Sequence, residues 1–539
     1  MRFNKINLII IIFCIFTVSC IKDKGNYDIT SPNKVEITKV DDPIPMEIGK
    51  NLKIIPEITF SQGENDQFNY EWYRVSDIYP YIIIGEVLST DRNIDIPLSG
   101  ELNNVGEYKL ILKVINKKTE IVTFEEFKIR VLNKMSVGFV ALCEKPNNNF
   151  DIDMVALFND TLTLYNNVFS LFESELPRNG IPRKIVCYDD VTAPSPLDLN
   201  DKRVKHSIWI LTDQYTNRIK PEDFSFNETY NISYVSTIPS NIFPKGSDII
   251  AENMSSMSSG RSYMYMNKNW FFFNTSGGPY FYAYPINKMQ GDTTKTYFNS
   301  ADRIAINQGG AVIFDNTNKK FVKHQAMMGD LQNPENIYCS RALIDNPGDI
   351  YEFNSANYEL VELKNRNGSS GYSIVKNTAT GKYELLQFGM MAMSSFDITK
   401  TAHGVFTESL DNVKFFAANP TLPYLYYATE DKVYKVHTAT MTTTDITSQV
   451  VPAGHKISIM EHRFVFPSGL LINNKLILGT YNPNGNVGEN GQLAFYSAED
   501  GTGNLILAKH PAKPTANGYQ IDMKWSGLGK IVSLDYKQK

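Results

Sequence analysis

The chain has 539 residues and a formal net charge of −5, with 42% hydrophobic and 21% charged residues. This length exceeds the usual single-domain range and predicts at least two domains, and the composition is ordinary for a folded protein. The slightly acidic balance does not provide the basic surface that nucleic-acid binding requires, so nucleic acid is excluded from the expected partners.

The first 19 residues have the pattern of an export signal. Arg2 and Lys5 give a positive start, and an uninterrupted apolar run follows over residues 8–16. This run is shorter than the ~20 residues that cross a bilayer and is typical of a signal-peptide core. Cys20 stands at the expected cleavage point, as in a bacterial lipobox, so we predict a lipoprotein signal peptide over 1–19 and a lipid on Cys20. The alternatives are an ordinary secretory signal and an uncleaved anchor helix.

Two folded regions are predicted after the signal. Residues 20–33 are polar and contain Gly25 and Pro32, which predicts a flexible tether behind the lipidated cysteine. Residues 34–132 contain short alternating segments separated by turn residues every ~8–12 positions, the signature of a small Ig-like or PKD-like β-sandwich. We expect Trp72 to lie in its core rather than to form a ligand platform.

Residues 135–539 repeat one unit, a strand, a polar turn and a second strand, at intervals of roughly 40–70 residues. This spacing predicts an all-β domain, a β-propeller of about seven blades, with a pair of sandwiches as the alternative. One segment departs from the β pattern, because Leu162, Tyr165, Phe169 and Phe172 recur with helical spacing and predict one short helix. The hairpins are anchored on Phe139, Ile208, Trp270, Val312, Ser373, Tyr426 and Leu476.

The order of these parts resembles the PKD-like lipoproteins of Bacteroidetes. The resemblance is carried by KDKGNYD (residues 22–28), YEW (70–72), GEYKLILKV (106–114) and GFVALCE (138–144). YEW is not followed by a WDFGDG-like tail, so the PKD likeness concerns the fold. The resemblance implies an outer-membrane lipoprotein of the cell envelope, similar to accessory proteins encoded beside SusC/SusD-type uptake pairs. It implies no catalytic residue.

No catalytic, metal or phosphate-binding motif is present in the sequence, so no cofactor and no metal are predicted. His455 and His462 lack the spacing of a zincin helix. DNTNKK (315–320) and NPNGNVGENG (482–491) lack the ligand spacing of calcium loops and are predicted to be hairpin turns. The cysteines that remain after the signal, at positions 143, 187 and 339, are too few for a disulfide scaffold and are expected to be small buried hydrophobes.

Carboxylates leave an enzyme hypothesis open. A glycosidase needs two of them close together, and several aspartates fall near predicted hairpin ends, where turn capping is the alternative role. These aspartates are Asp153, Asp189, Asp190, Asp213 and Asp315.

The densest aromatic stretch is NWFFFNTSGGPYFYAYPI, residues 269–286. Aromatic faces stack on sugar rings and bury a large area, and the alternative is a blade core filled with aromatics. If this stretch contacts a ligand, the candidates are Trp270, Tyr280, Tyr282 and Tyr284, whose indole or phenol can also form hydrogen bonds.

Three functions remain in contention. The leading hypothesis is a non-catalytic binding protein at the outer membrane that holds a nutrient-derived glycan or peptide and works with an uptake complex. The alternatives are a structural or assembly subunit of that complex, without a small ligand, and an envelope hydrolase or lyase on the propeller.

Overall fold

The chain divides into two compact units, Met1–Leu132 and Asn133–Lys539. Cys20, the signal and most of the tether lie outside the described residues. Within the described part, no helix is long and apolar enough to cross a membrane. The computed structural model describes residues 32–38, 43–47, 50–64, 67–78, 81–99, 102, 106–158, 161–189, 206–240, 242–243, 249–257, 261–274, 281–292, 294, 296–326, 337–392, 395–462, 474–498, 501–510 and 522–537.

The first unit is a β-sandwich, as its alternating segments predict. Its described strands are β1 (Val35–Thr38), β2 (Ile44–Glu47), β3 (Asn51–Ile54), β4 (Glu57–Phe60), β5 (Phe68–Ile78), β6 (Tyr81–Ser89), β7 (Ile94–Pro97), β8 (Gly106–Asn116) and β9 (Val122–Leu132). One sheet has the order β2-β9-β8-β5-β6, and the other strands form the pairs β1–β4 and β3–β7. Apolar side chains from all three groups form one core.

Trp72 confirms its predicted place in this core. Its side chain is fully buried, and its ring centroid lies 5.3 Å from that of Phe127. The indole N–H donates a hydrogen bond to the carbonyl of Asp91 at 3.1 Å, so the polar atom of this buried ring is satisfied.

The second unit is a β-propeller-like domain. Its described residues form seven antiparallel sheets, in most of which each strand pairs with the next one along the chain. The strands are β10 (Gly138–Lys145), β11 (Asn149–Phe158) and β12 (Thr161–Tyr165) in the first sheet; β13 (Pro182–Asp189), β14 (His206–Thr212) and β15 (Thr216–Ile219) in the second; β16 (Asn253–Met257), β17 (Arg261–Met266) and β18 (Asn269–Asn274) in the third; β19 (Ser300–Asn307), β20 (Gly310–Asp315), β21 (Lys320–Gln325) and β22 (Ser340–Ala342) in the fourth; β23 (Tyr358–Asn367), β24 (Ser370–Asn377), β25 (Lys382–Ala392) and β26 (Phe396–Val405) in the fifth; β27 (Phe415–Ala418), β28 (Tyr424–Ala428), β29 (Val433–His437) and β30 (Thr442–Asp445) in the sixth; and β31 (Lys456–His462), β32 (Lys475–Tyr481), β33 (Gly491–Ser497), β34 (Ile506–Leu507) and β35 (Lys524–Leu528) in the seventh.

The last strand closes the domain. β36 (Lys530–Lys537) returns to the first sheet and pairs antiparallel with β10, so that Gly138 faces Lys537 and Glu144 faces Lys530. The first strands of successive sheets contact one another in the order β13, β16, β19, β23, β27 and β31, and β36 contacts both β13 and β31. These strands therefore form a closed ring, which leaves only short, protected sheet edges.

Polar side chains of one inner strand satisfy backbone groups of the next. The Ser533 hydroxyl accepts from the Ile185 N–H at 3.2 Å, and the Asp535 carboxylate accepts from the Cys187 N–H at 2.8 Å. At another point of the ring, the Asn365 side chain accepts from the Ile306 N–H at 2.6 Å. Buried backbone donors need such partners, so these contacts stabilise the inner edge.

Each pair of neighbouring sheets encloses its own cluster of buried apolar side chains, including the pair formed by the seventh and first sheets. A sheet in the ring is thus buried on both faces, which is why a strand such as β18, with the sequence NWFFFN, has four consecutive aromatic residues at its centre. Alternate side chains enter different clusters: Trp270 and Phe272 face the fourth sheet, while Phe271 and Phe273 face the second.

The short helix predicted from Leu162 to Phe172 requires a correction. Leu162 and Tyr165 belong to β12, which pairs with β11 as the outer strand of the first sheet. The helical part is a single turn, α1 (Val168–Leu171). The strand is more stable than a helix here because β11 supplies partners for its backbone hydrogen bonds, whereas a short helix on its own is only marginally stable. Further helical turns among the described residues are α2 (Thr447–Val450) and the 3-10 turns Pro146–Asn148, Glu228–Tyr230 and Ile232–Val235.

A buried ion pair lies where the last sheet meets the first. The Asp153 carboxylate accepts two hydrogen bonds of 2.9 Å from the Lys145 ammonium, and both side chains are at least nine-tenths buried. The carboxylate also accepts from the Gly529 N–H at 2.7 Å, and the ammonium donates to the Gly488 carbonyl at 3.2 Å. A Cβ at Gly529 would lie 2.6 Å from the Glu144 carbonyl oxygen, so this approach requires glycine.

We expect Asp153→Asn to lower the free energy of unfolding of the second unit by ~3–5 kcal/mol, because it leaves the Lys145 ammonium buried without a counter-charge. Chemical denaturation measures this change. Asp522→Asn is the matched control, since Asp522 pairs with Lys509 while both side chains are about half exposed and such pairs contribute under ~1 kcal/mol. Equal losses in the two variants would contradict the role given to the buried pair.

Candidate functional site

The aromatic residues predicted as ligand candidates fall into three environments. Trp270 and Tyr282 are fully buried, Tyr284 exposes 44% of its surface, and Tyr280 lies outside the described residues. Burial gives the physical reason to correct the prediction for two of them. The Trp270 indole N–H donates to the Ala301 carbonyl at 2.8 Å, and the Tyr282 hydroxyl lies 2.5 Å from that of Ser262.

Tyr284 belongs to a group of tyrosines that the sequence does not reveal. Its ring centroid lies 5.2 Å from that of Tyr338, with an angle of 62° between the planes. Tyr297 is near enough for the Tyr284 hydroxyl to influence its ionisation. We call Tyr284, Tyr297 and Tyr338 the tyrosine cluster. Tyr297 and Tyr338 lie outside the aromatic stretch and are each surrounded by ordinary residues, so no motif marks them.

Two chain segments hold the tyrosine cluster in place. Residues 285 and 286 follow the edge of β18, where the Ile286 N–H donates to the Trp270 carbonyl at 2.8 Å. Residues 288–290 then run beside β22, and the Gln290 N–H donates to the Ser340 carbonyl at 2.8 Å. The Ser340 hydroxyl donates to the Ile286 carbonyl at 2.8 Å. The buried core of the third sheet and the edge of the fourth therefore fix the backbone on both sides of the rings.

Burial and a neighbouring phenol raise the pKa values of two tyrosines in the cluster. Burial raises the pKa of Tyr338, and the neighbouring Tyr284 hydroxyl raises it further. The same two causes, in the same order, raise the pKa of Tyr297. At neutral pH both side chains therefore retain the phenol proton and can donate as well as accept hydrogen bonds.

Arg341, in β22 after Tyr338, is held by amide side chains. Its Nε donates to the Gln290 side-chain oxygen at 2.8 Å, and its Nη1 donates to the side chain of Gln325. A partly exposed pair of tyrosine rings can stack on a flat apolar face, and its phenols can form hydrogen bonds.

The aspartates predicted as alternative catalytic residues have structural partners where they are described. Asp153 is held in the ion pair described above, and the buried Asp315 accepts from the backbone N–H groups of Thr317 and Asn318, both at 2.9 Å. Asp213 accepts from the Ile181 N–H at 2.6 Å. The side chain of Asp189 and the whole of Asp190 lie outside the described residues.

Other sequence predictions can be placed as well. Both predicted hairpin turns are confirmed, because residues 315–320 join β20 to β21 and residues 482–490 join β32 to β33. Cys143 and Cys339 are buried and Cys187 is half-buried. Burial and the Asp153 carboxylate raise the pKa of the Cys143 thiol well above its usual value. No group of three potential metal ligands occurs among the described residues.

The fold thus defines a two-unit β protein, a sandwich followed by a propeller-like domain. Residues 20–172, which include the sandwich and the first three strands of the second unit, match the model of the PKD-like family. The match includes KDKGNYD, YEW and GFVALCE, which confirms the expected resemblance. A search of curated protein sequences finds no match.

Solved structures give distant likenesses of fold. A quinonprotein alcohol dehydrogenase-like protein from Bacteroides thetaiotaomicron is 11% identical, with a TM-score of 0.37, over 94% of this chain and all of that one. AztD of Citrobacter koseri is 10% identical, with a TM-score of 0.30, over 88% of this chain and 99% of that one. The closed ring of sheets identifies the second unit as propeller-like.

Proposed function

We propose that this protein is a lipid-anchored, non-catalytic binding protein of the bacterial outer membrane, and that its propeller-like domain binds a saccharide for a SusC/SusD-type uptake complex. The observation that carries the proposal is the exposed Tyr284 ring, set at 62° against Tyr338. Between the two glycan and peptide ligands that the sequence leaves open, this geometry favours the glycan, because the C–H face of a pyranose offers a flat apolar surface to an aromatic ring.

The surroundings of the tyrosine cluster support binding. The backbone on both sides is fixed by hydrogen bonds to buried strands, so little conformational entropy is lost when a ligand settles on the rings. Neutral phenols can hydrogen-bond the hydroxyl groups of a sugar.

The aspartates favour binding over hydrolysis. A glycosidase acid or nucleophile must reach the scissile bond. Asp153 and Asp315 are buried and occupied by a cation or by backbone donors. Such ion pairs and hydrogen bonds are typical of residues that stabilise turns and contacts between sheets.

The envelope location is supported by the sequence. The apolar run over 8–16 is the length of a signal-peptide core, and Cys20 follows small residues at the expected cut. A single signal with a lipidated cysteine fits the family resemblance, in which such proteins accompany outer-membrane uptake pairs.

We expect Tyr284→Ala to weaken saccharide binding by about tenfold, because loss of one stacked ring removes ~1 kcal/mol or more. Titration calorimetry with the best oligosaccharide from a glycan array measures the effect. Tyr284→Phe retains the ring and should lose little affinity. Tyr234→Ala is the matched control, since Tyr234 is 43% exposed and lies outside the tyrosine cluster. Equal affinities for Tyr284→Ala and Tyr234→Ala would refute the site.

We expect Cys20→Ala to move the protein from the membrane fraction to the soluble envelope fraction, because the thioether that carries the lipid cannot form. Fractionation of cells that express the full chain measures this. Cys14→Ala is the control, because Cys14 lies within the predicted signal. A Cys20→Ala chain that stays in the membrane fraction would contradict lipid anchoring.

A further inference from the structure

One end of the sandwich unit carries exposed apolar and basic residues on a single hairpin. The β8–β9 turn begins at Asn116 and leads into β9 at Val122. Ile121 and Val122 are 45% and 44% exposed, and Phe124 is 68% exposed. Lys117 and Lys118 are exposed on the same turn, beside the exposed Glu120. We call residues 117–124 the tip hairpin.

The tip hairpin has a fixed shape. The Asn116 side-chain oxygen accepts from the Lys118 and Thr119 N–H groups at 2.9 and 3.2 Å. The Asn116 N–H donates to the Ile121 carbonyl at 3.0 Å, and its carbonyl accepts from the Glu120 N–H at 2.8 Å. The exposed apolar side chains are therefore held outward by a closed turn, so their display needs no rearrangement.

The chain joins the sandwich at this same end. The Asn33 side chain donates to the Gly63 carbonyl at 2.9 Å and accepts from the Gln62 N–H at 2.9 Å. Gln67 is four residues beyond Gly63, and its carbonyl accepts from the Lys117 N–H at 2.9 Å. The segment that leads from Cys20 therefore enters the sandwich at the end that carries the tip hairpin.

Chain length then restricts the distance from the membrane. Between Cys20 and Asn33 a fully extended chain spans at most ~45 Å. Every shorter conformation brings the end that carries Asn33, and with it the tip hairpin, closer to the bilayer that holds the lipid. Isoleucine, valine and phenylalanine beside lysines form the combination that enters the headgroup region of a bilayer while binding anionic lipids.

We propose that the tip hairpin docks on the phospholipid surface and orients the sandwich against the membrane. Phe124, Val122 and Ile121 enter the interface, and Lys117 and Lys118 contact anionic headgroups. Val122 and Phe124 are two residues apart in β9 and therefore lie on the same face of the strand, so their side chains can enter the interface together. This proposal rests on the lipid attachment at Cys20 proposed above.

Vesicle flotation of the complete mature chain carrying Cys20→Ser tests the hairpin without the lipid. On vesicles of phosphatidylethanolamine and phosphatidylglycerol, Val122→Ser with Phe124→Ser should lower the partition coefficient at least ~tenfold. Lys117→Gln with Lys118→Gln should lower it about tenfold at low salt and leave binding to phosphatidylcholine vesicles unchanged. Ile55→Ser is the matched control, because Ile55 is 58% exposed and precedes β4, whose far end is Phe60.

Two results would overturn the proposal. The first is a Cys20→Ser chain that does not float with vesicles, or that floats equally well as Ile55→Ser and as the Val122/Phe124 double variant. The second is a photo-crosslinker at position 124 that links the chain in cells to a protein rather than to lipid. Because the vesicle assay omits the lipid anchor, failure of the hairpin and failure of anchoring at Cys20 are distinguished.

Discussion

The pairing of the last strand with the first holds the second unit together. β36 supplies the strand that places the first sheet in the ring, and it contacts the inner strands on both sides. Without it, β10 would expose a full row of unpaired backbone groups, and the apolar cluster between the seventh and first sheets would lose Leu534 and Tyr536. Both costs are large for a domain that is stable by a narrow margin.

Several unusual side chains of the second unit follow from that closure. Burial of the Asp153 and Lys145 charges costs desolvation energy. Hydrogen bonds to backbone groups of Gly529 and Gly488, where the last sheet meets the first, offset this cost. Lys537, at the end of β36, is buried over the Phe224 ring and donates to the Met135 carbonyl at 2.6 Å. Burial lowers the pKa of Lys537 to about 7, so an ammonium there destabilises the folded state, and its apolar stem contributes the packing.

The sequence predicts the strands better than their surroundings. Period-two alternation and Asn/Gly turns locate the hairpins, since both patterns arise from local backbone geometry. By contrast, β36 pairs with β10 although the two strands lie almost four hundred residues apart in sequence. No local pattern in β36 reveals this pairing. The segment from Leu162 to Phe172 has helical spacing, yet pairing with β11 makes its first half a strand.

The same limit explains the aromatic candidates. In an isolated sheet, alternation places one side chain inside and the next outside. In a closed ring both faces are covered, so Trp270 is buried although its spacing permits exposure. Tyr284 lies beyond the paired strands of the third sheet, and the parallel contact between residues 288–290 and β22 brings the segment of Tyr338 to it. That contact depends on tertiary structure, and a pattern within a short window cannot show it.

Ring closure by β36 is tested most directly by comparing a chain that ends at Gly529 with one that ends at Lys537. Calorimetry should show the first unit's unfolding transition unchanged in both chains, because its core is separate. The second unit's cooperative transition should be lost from the shorter chain and retained in the longer one. A shorter chain whose second transition stays within a few degrees of that of the longer chain would contradict closure by the last strand.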